Sequence, residues 1–254
     1  MRRAHVRPPA SFDLNATFLD IVLSLAQSRA GTAADMLRQS VDRTVFWASP
    51  EITNAFYSDQ RNDITIPVAV LQSPFYEKGR APAFNYGALG GVVGHELTHA
   101  FDNNGRHFDG TGKLVDWWTD SVATEFDSRT QCLVDQFDGY QALPDVHVDG
   151  QLTLPENIAD LGGLKLAWAA FEALSQHGGS AASFSAEQQF FISFAQLQCA
   201  NFSDEALAQL LANDPHSPPK FRVNGVVRNL AQFADAFSCP STAPLASTDR
   251  CEIW

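Results

Sequence analysis

The sequence has no run of about 18 apolar residues, so it predicts no helix that crosses a bilayer. Basic residues are also scarce, since 17 Lys and Arg stand against 29 Asp and Glu, a formal net charge of −12. This acidity argues against binding to nucleic acid or to an anionic membrane surface. Residues 1–9 are basic but lack the apolar core of a signal peptide.

Cysteine is equally sparse. The chain has four, Cys132, Cys199, Cys239 and Cys251, and no two of them are closely spaced. A zinc site built from cysteines is therefore not expected. Disulfides formed in an oxidising compartment fit this usage better.

One short stretch carries the clearest chemistry. His95 and His99 are four residues apart, so on a helix they present two imidazoles on one face, as zinc binding requires. Glu96 follows the first histidine and is placed to act as a general base on water. The surrounding apolar residues have helical spacing, and residues 103–105, Asn-Asn-Gly, predict the end of the helix.

The third metal ligand is open to more than one assignment. His107 is near in sequence but lies beyond the predicted helix end. Glu125 has Arg129 one turn on, which favours a solvated intrahelical pair. Glu156 has Asp160 one turn on, and two such carboxylates repel unless a cation lies between them. Zinc held by Glu156, with Asp160 accepting a hydrogen bond from a ligand imidazole, would relieve that repulsion.

The remaining pattern predicts an α+β chain that is mostly helical. Residues 63–70 alternate as an edge strand, with Pro67 unable to donate to a ladder, and residues 139–150 are predicted as loop. The predicted helices cover residues 14 to about 31, 33–41, about 117–137 and 153 or 154 to about 174, followed by helices capped by Ser185 and Ser203.

Five motifs together resemble the neprilysin and endothelin-converting enzyme family of zinc metallopeptidases. They occur in the family's order and span about residues 42–254. They are Asn54-Ala55-Phe56-Tyr57, the stretch from Gly94 to Asp102, Glu156-Asn157-Ile158-Ala159-Asp160, His216-Ser217-Pro218 with Arg222, and Cys251-Glu252-Ile253-Trp254.

The resemblance implies a role for each matching residue. His95, His99 and Glu156 would bind one Zn²⁺ per chain, and Glu96 would be the general base. Asp160, and by a weaker correspondence Asp102, would orient the ligand histidines. His216 would stabilise the oxyanion. Asn54, Ala55 and Arg222 would hold the main chain of a peptide substrate.

The resemblance also implies a fold and an activity. Residues 1–254 are expected to form a single thermolysin-like zincin domain, with a small sheet whose edge strand borders the cleft. The family's N-terminal cap domain and membrane anchor are not expected in this chain. The expected activity is hydrolysis of oligopeptides on the amino side of bulky hydrophobic residues, in the secretory pathway or at the cell surface. The alternatives are a non-catalytic peptide-binding module and an inactive fragment that needs a cap chain or an oligomer.

Two residues differ from those usual in this family, and the resemblance also implies one disulfide. Pro155 stands where the family usually has Gly, and Gln198 where it usually has Trp, so the side-chain preference of the pocket after the scissile bond is open. Cys132 and Cys251 are expected to form a disulfide. Cys199 and Cys239 are expected to remain free, to pair with each other or to pair with another chain.

Overall fold

The computed structural model describes residues 15–40, 45–174 and 183–254, and the chain divides into two compact units. The first unit, Met1–Ser49, contains helix α1 (Phe18–Met36). Its N-terminus is a capping box: the Thr17 hydroxyl accepts the Asp20 N–H, and the Asp20 carboxylate accepts the Thr17 N–H.

The prediction of two helices in this unit was wrong, because α1 runs without a break through Gly31. No atom lies within 4 Å of a Cβ built at Gly31, so this glycine has no packing role. A glycine inside a helix costs about 1 kcal/mol relative to Ala, which is too little to end one. Leu14 and Val41, the predicted outer limits, lie outside the described residues.

The second unit, Pro50–Trp254, holds the remaining regular elements. In chain order they are β1 (Phe56–Ser58), β2 (Asp63–Thr65), α2 (Pro82–Asn85), α3 (Gly91–Thr98), α4 (Asp120–Asp138), β3 (Gln141–Leu143), β4 (Val146–His147), α5 (Leu154–Glu172), α6 (Ala186–Leu197), α7 (Asp204–Asn213), α8 (Pro219–Val227) and α9 (Ala231–Ala236). The predicted mostly helical α+β composition is confirmed. In the part of the chain that the structure describes, no helix is long and apolar enough to cross a membrane.

The strand predicted over residues 63–70 is shorter than expected. β2 ends at Thr65, and a 3₁₀ turn, Val68–Val70, follows with Pro67 at its N-cap. Pro67 fixes its own φ and has no N–H to donate to a ladder, so the pairing stops before it. β2 pairs antiparallel with β1, with Tyr57 opposite Ile64.

The loop predicted over residues 139–150 contains a β-hairpin. β3 and β4 pair antiparallel, with Leu143 opposite Val146. The connecting residues are Pro144 and Asp145, and Asp145 has a φ of 58°. Asp tolerates this left-handed conformation better than most residues, which allows a two-residue turn that the short strands did not reveal.

Helix α5 is central to the core of this unit. Ile158, Leu161 and Leu164 are fully buried along it and pack with aromatic residues of neighbouring helices, including Phe137 and Phe190. The predicted positions of α4 and α5 are confirmed to within three residues, and the predicted Ser185 and Ser203 caps are present.

Cys132 of α4 and Cys251 near the C-terminus form a disulfide, and the two positions are 119 apart in sequence. Both Cys199 and Cys239 are free thiols. Further contacts hold the tail: the Cys251 N–H donates to Asn229 Oδ1 at 2.9 Å.

Replacing both Cys132 and Cys251 by Ala should lower the free energy of unfolding, because the open chain gains entropy. The chain-entropy model gives up to about 4–5 kcal/mol for so long a loop, and measured losses are often smaller. Urea unfolding of oxidised protein checks this, with Cys199→Ser as the matched control that should change little. Alkylation of Cys132 in unreduced secreted protein would contradict the pairing.

Candidate metal centre and active site

Helix α3 and the turn that continues it place two histidines on one face. α3 ends at Thr98, and a 3₁₀ turn, His99–Phe101, follows directly. The rings of His95 and His99 are perpendicular, with centroids 4.6 Å apart, and their Nε2 atoms are 3.0 Å apart. The helical chain stops before Asn103, as the sequence predicted.

A close backbone contact brings α3 against α5. A Cβ built at Gly94 would lie 2.4 Å from the Gly163 carbonyl oxygen, and one built at Gly163 would lie 2.4 Å from the His95 nitrogen. Neither position could therefore carry a side chain unless the backbones of α3 and α5 moved apart. This contact places Glu156, two turns before Gly163 on α5, opposite the two histidines.

Three acceptor atoms converge where the helices meet. Glu156 Oε2 lies 3.2 Å from His95 Nε2 and 3.7 Å from His99 Nε2. In the described ranges, these three residues are the one trio of His, Cys, Asp or Glu side chains with ligand atoms all within 4.8 Å of one another. His107 and Glu125, the other candidates for a third ligand, do not belong to it.

Carboxylates behind the histidines fix the orientation of both rings. Asp160 Oδ1 lies 2.8 Å from His95 Nδ1, and Asp102 Oδ2 lies 2.7 Å from His99 Nδ1. Because a carboxylate accepts, each Nδ1 carries the hydrogen in the neutral ring, which leaves a lone pair on Nε2. Asp102 is held in turn by the backbone N–H groups of Asn104 and Gly105, each at 2.7 Å.

This arrangement fits a divalent cation. With both rings neutral, two Nε2 lone pairs face each other and a carboxylate oxygen, and no hydrogen lies between the three atoms. Glu156 Oε2 is buried, and His216 Nε2 lies 3.1 Å from it. Two imidazoles and one carboxylate, each imidazole hydrogen-bonded from behind, are a donor set that suits zinc.

The pKa values of His95 and Glu156 are shifted in the directions expected where a site favours positive charge. Burial alone would lower the pKa of His95, but its hydrogen bonds to Asp160 and Glu156 outweigh burial and raise it to about 9. Burial would raise the pKa of Glu156, but hydrogen bonds from His216 and His95 bring it well below its usual range. A proton at His95 and a metal ion therefore compete for the same position.

Arg222 of α8 is joined to the same network. Its Nε donates to Asp160 Oδ2 at 2.8 Å and its Nη2 donates to Asp160 Oδ1 at 2.7 Å. Asp160 is thus shared by Arg222 and His95, and the nearby guanidinium helps to hold the pKa of Asp160 low despite complete burial. The two hydrogen bonds do not use Nη1.

Glu96 and His216 border the same cleft. Glu96 is only 6% exposed, and burial raises its pKa although a backbone hydrogen bond from Tyr57 acts in the opposite direction. The hydrogen bond between His216 and Glu156 raises the pKa of His216. Asp214 Oδ1 lies 2.8 Å from His216 Nδ1 and fixes the ring.

The cleft has a volume of about 620 Å³ and runs past all of these groups. Every site residue predicted from the sequence lines it. These are Asn54, Ala55, His95, Glu96, His99, Asp102, Glu156, Asp160, His216 and Arg222.

Comparison with known proteins places this geometry in a family. A sequence model described as Peptidase family M13 matches residues 54–253. The chain belongs to peptidase family M13. It is 44% identical over 225 residues to an endothelin-converting enzyme homolog of Locusta migratoria, covering 87% of this chain and 31% of that protein. It is 41% identical over 246 residues to neprilysin-1 of Caenorhabditis elegans, covering 94% of this chain and 33% of that protein.

Solved structures agree. Zinc metalloprotease ZMP1 of Mycobacterium tuberculosis, in complex with an inhibitor, matches with a TM-score of 0.83 and 37% identity, over 91% of this chain and 36% of that one. The M13 chain therefore spans about a third of the length of the relatives it matches.

Sequence reasoning missed two features of this M13 site. One is Asp214, which holds His216 and stands two residues before it, a spacing that could have suggested an orienting carboxylate. The other is the contact between Gly94 and Gly163, for which no local pattern exists. The cleft strand was also misplaced: Asn54 and Ala55 lead into β1, and of the strand predicted over residues 63–70 only β2 forms, which pairs with β1.

Proposed function

We propose that this M13 chain binds one zinc ion through His95, His99 and Glu156 and hydrolyses peptide bonds in oligopeptides. The observation that carries the proposal is the convergence of three acceptor atoms at the contact between α3 and α5, next to the buried carboxylate of Glu96. Two histidines one turn apart and a glutamate from a later helix correspond to the thermolysin-like arrangement.

When bound, zinc supplies a Lewis acid for the scissile carbonyl. Glu96 accepts a proton from the attacking water and delivers it to the amide nitrogen as the C–N bond breaks. The raised pKa of Glu96 makes its carboxylate a stronger base than an exposed glutamate. No covalent bond to the protein is needed.

His216 stabilises the oxygen that becomes negative as the carbonyl is attacked. Its raised pKa favours the doubly protonated ring, which keeps one N–H on Asp214 and offers the other from Nε2. A hydrogen bond of this kind typically contributes about two to three orders of magnitude in rate.

The substrate main chain lies between Arg222 and the segment of Asn54 and Ala55 that leads into β1. Nη1 of Arg222 donates to a backbone carbonyl, and the extended segment beside the cleft pairs with an extended peptide. Part of the cleft lining is apolar, which suits cleavage on the amino side of a bulky hydrophobic residue. This part includes Val70, Phe75, Val92, Phe194 and Leu197.

The location of the protein and its domain organisation are separate assignments. The Cys132–Cys251 disulfide supports an extracellular or cell-surface location, because disulfides persist in oxidising compartments. That residues 1–254 form one catalytic domain stays a prediction, as does a separate cap chain or oligomer.

Zinc content and turnover, measured on one preparation of the purified chain, test the proposal. We expect about one zinc per chain and cleavage of an internally quenched oligopeptide, lost on chelation and restored by zinc. Zinc and peptide binding without turnover would favour the non-catalytic alternative. Turnover that survives removal of all metal would refute the proposal.

A further inference from the structure

An apolar part of the cleft lining lies one helical turn before His95. Gly91 is four residues before His95 and therefore on the same face of α3, with Val92 beside it. A Cβ built at Gly91 would contact Phe194 Cδ2 at 3.5 Å, so the Phe194 ring lies directly against this part of the helix. In the proposed function, the side chain that enters here belongs to the residue after the scissile bond.

Helix α6 is held firmly at this position. The π-helical segment Tyr86–Gly90 runs directly into α3, and α6 packs on it through Gly87. A Cβ built at Gly87 would lie 2.0 Å from the Phe190 carbonyl oxygen, so the two backbones are as close as glycine allows. The C-terminal end of α6 is therefore fixed relative to the metal centre.

Gln198 is the C-cap residue of α6 and lines the cleft one turn after Phe194. It is half-buried. Throughout the described residues, its side-chain amide has no hydrogen-bond partner. An amide that can both donate and accept thus follows Leu197 and lies one turn from Phe194, two apolar residues that line the same cleft.

This unpaired amide affects which side chains bind well. A purely apolar side chain would displace water from the amide and give no hydrogen bond in return, which costs binding free energy. A side chain with an apolar body and a hydroxyl end would fill the same space and pair with the amide. A carboxylate would enter a cleft that Glu96 and Glu156 also line, and its burial beside two other carboxylates is unfavourable.

We propose that Gln198 is a specificity-determining residue, whose amide favours a tyrosine over a phenylalanine at the position after the scissile bond. The inference rests on the proposed peptidase function and refines its substrate class. One neutral hydrogen bond, with an unpaired amide avoided, corresponds to about a fivefold to thirtyfold preference.

Two quenched peptides that differ only in Tyr or Phe after the scissile bond test this. Wild type should cleave the Tyr peptide with a kcat/KM about fivefold to thirtyfold higher. Gln198→Leu should bring the ratio to about one or below, because Leu keeps the volume and removes the amide. Gln196→Leu is the matched control, since Gln196 is exposed on the same helix and does not line the cleft. It should keep the wild-type ratio.

Binding of the same peptides, measured by calorimetry, separates failure of this inference from failure of the proposed function. If wild type hydrolyses neither peptide, the peptidase function fails, and the Tyr to Phe affinity ratio still reports on Gln198. A wild-type preference for Phe, or a Tyr preference that persists in Gln198→Leu, would overturn the inference. Equal zinc content and equal thermal unfolding in the three proteins exclude a folding defect.

Discussion

Glu96→Gln should retain bound zinc and lose about two to four orders of magnitude in turnover, the contribution typical of a general base. The amide has the shape of the carboxylate and can still accept the backbone hydrogen bond from Tyr57, so the fold should not change. It is not basic enough to take a proton from water. Steady-state hydrolysis of a quenched peptide checks the loss of turnover, and zinc content measured on the same preparation checks that the metal is retained.

Glu125→Gln is the matched control for Glu96→Gln. Glu125 is an exposed side chain of α4 that pairs with Arg129 at 2.8 Å, away from the cleft. Its replacement should leave turnover and zinc unchanged. If Glu96→Gln kept its activity within tenfold of wild type, the general base would have to be another group.

The part of the site that the sequence could predict is the part set by local geometry. His95 and His99 are one helical turn apart whatever the tertiary structure, and Glu156 with Asp160 signals a nearby cation through like-charge repulsion on one helix face. The 19-residue helices α4 and α5 were also located, because each has a clear apolar period or a recognisable first turn.

What the sequence could not predict depends on contacts between distant segments. The choice of Glu156 over His107 or Glu125 is made by the backbone contact of Gly94 with Gly163, 69 positions apart in the numbering. The short strands around Tyr57 and Leu143 have too few residues for a period-2 pattern to stand out. Pro67 was a signal that β2 ends early, at Thr65. The alternating side chains on both sides of Pro67 nevertheless favoured a longer strand.

Asp160 contacts both a candidate metal ligand, His95, and the arginine proposed to bind the substrate, Arg222. It accepts from His95 and, through two hydrogen bonds, from Arg222, so the metal centre and the group that would hold the substrate main chain share one buried carboxylate. Displacement of Asp160 would therefore disturb both the orientation of a ligand and the position of the peptide. A buried carboxylate that lacked these partners would be strongly unfavourable, which explains why the three side chains occur together.

Glu156→Ala should lower zinc affinity by more than the tenfold to hundredfold typical of losing a group behind a ligand, because it removes one of three ligands. Two imidazoles would remain, with no negative charge among the groups that touch the metal. Competition with a chromophoric chelator measures the affinity, and circular dichroism checks the fold. Glu156→Gln, which keeps the side-chain volume, separates loss of the ligand from loss of packing and should also bind zinc weakly.

Glu125→Ala is the control that decides between the candidates for the third ligand. Glu125 lies outside the converging trio, and its exposed pair with Arg129 contributes little to stability, so zinc affinity should remain at the wild-type level. His107→Ala should behave in the same way. If Glu156→Ala retained full zinc stoichiometry and wild-type affinity while Glu125→Ala or His107→Ala lost it, the metal would have to lie away from the contact between α3 and α5. The lone pairs that face each other at 3.0 Å between His95 and His99 would then need a proton to separate them.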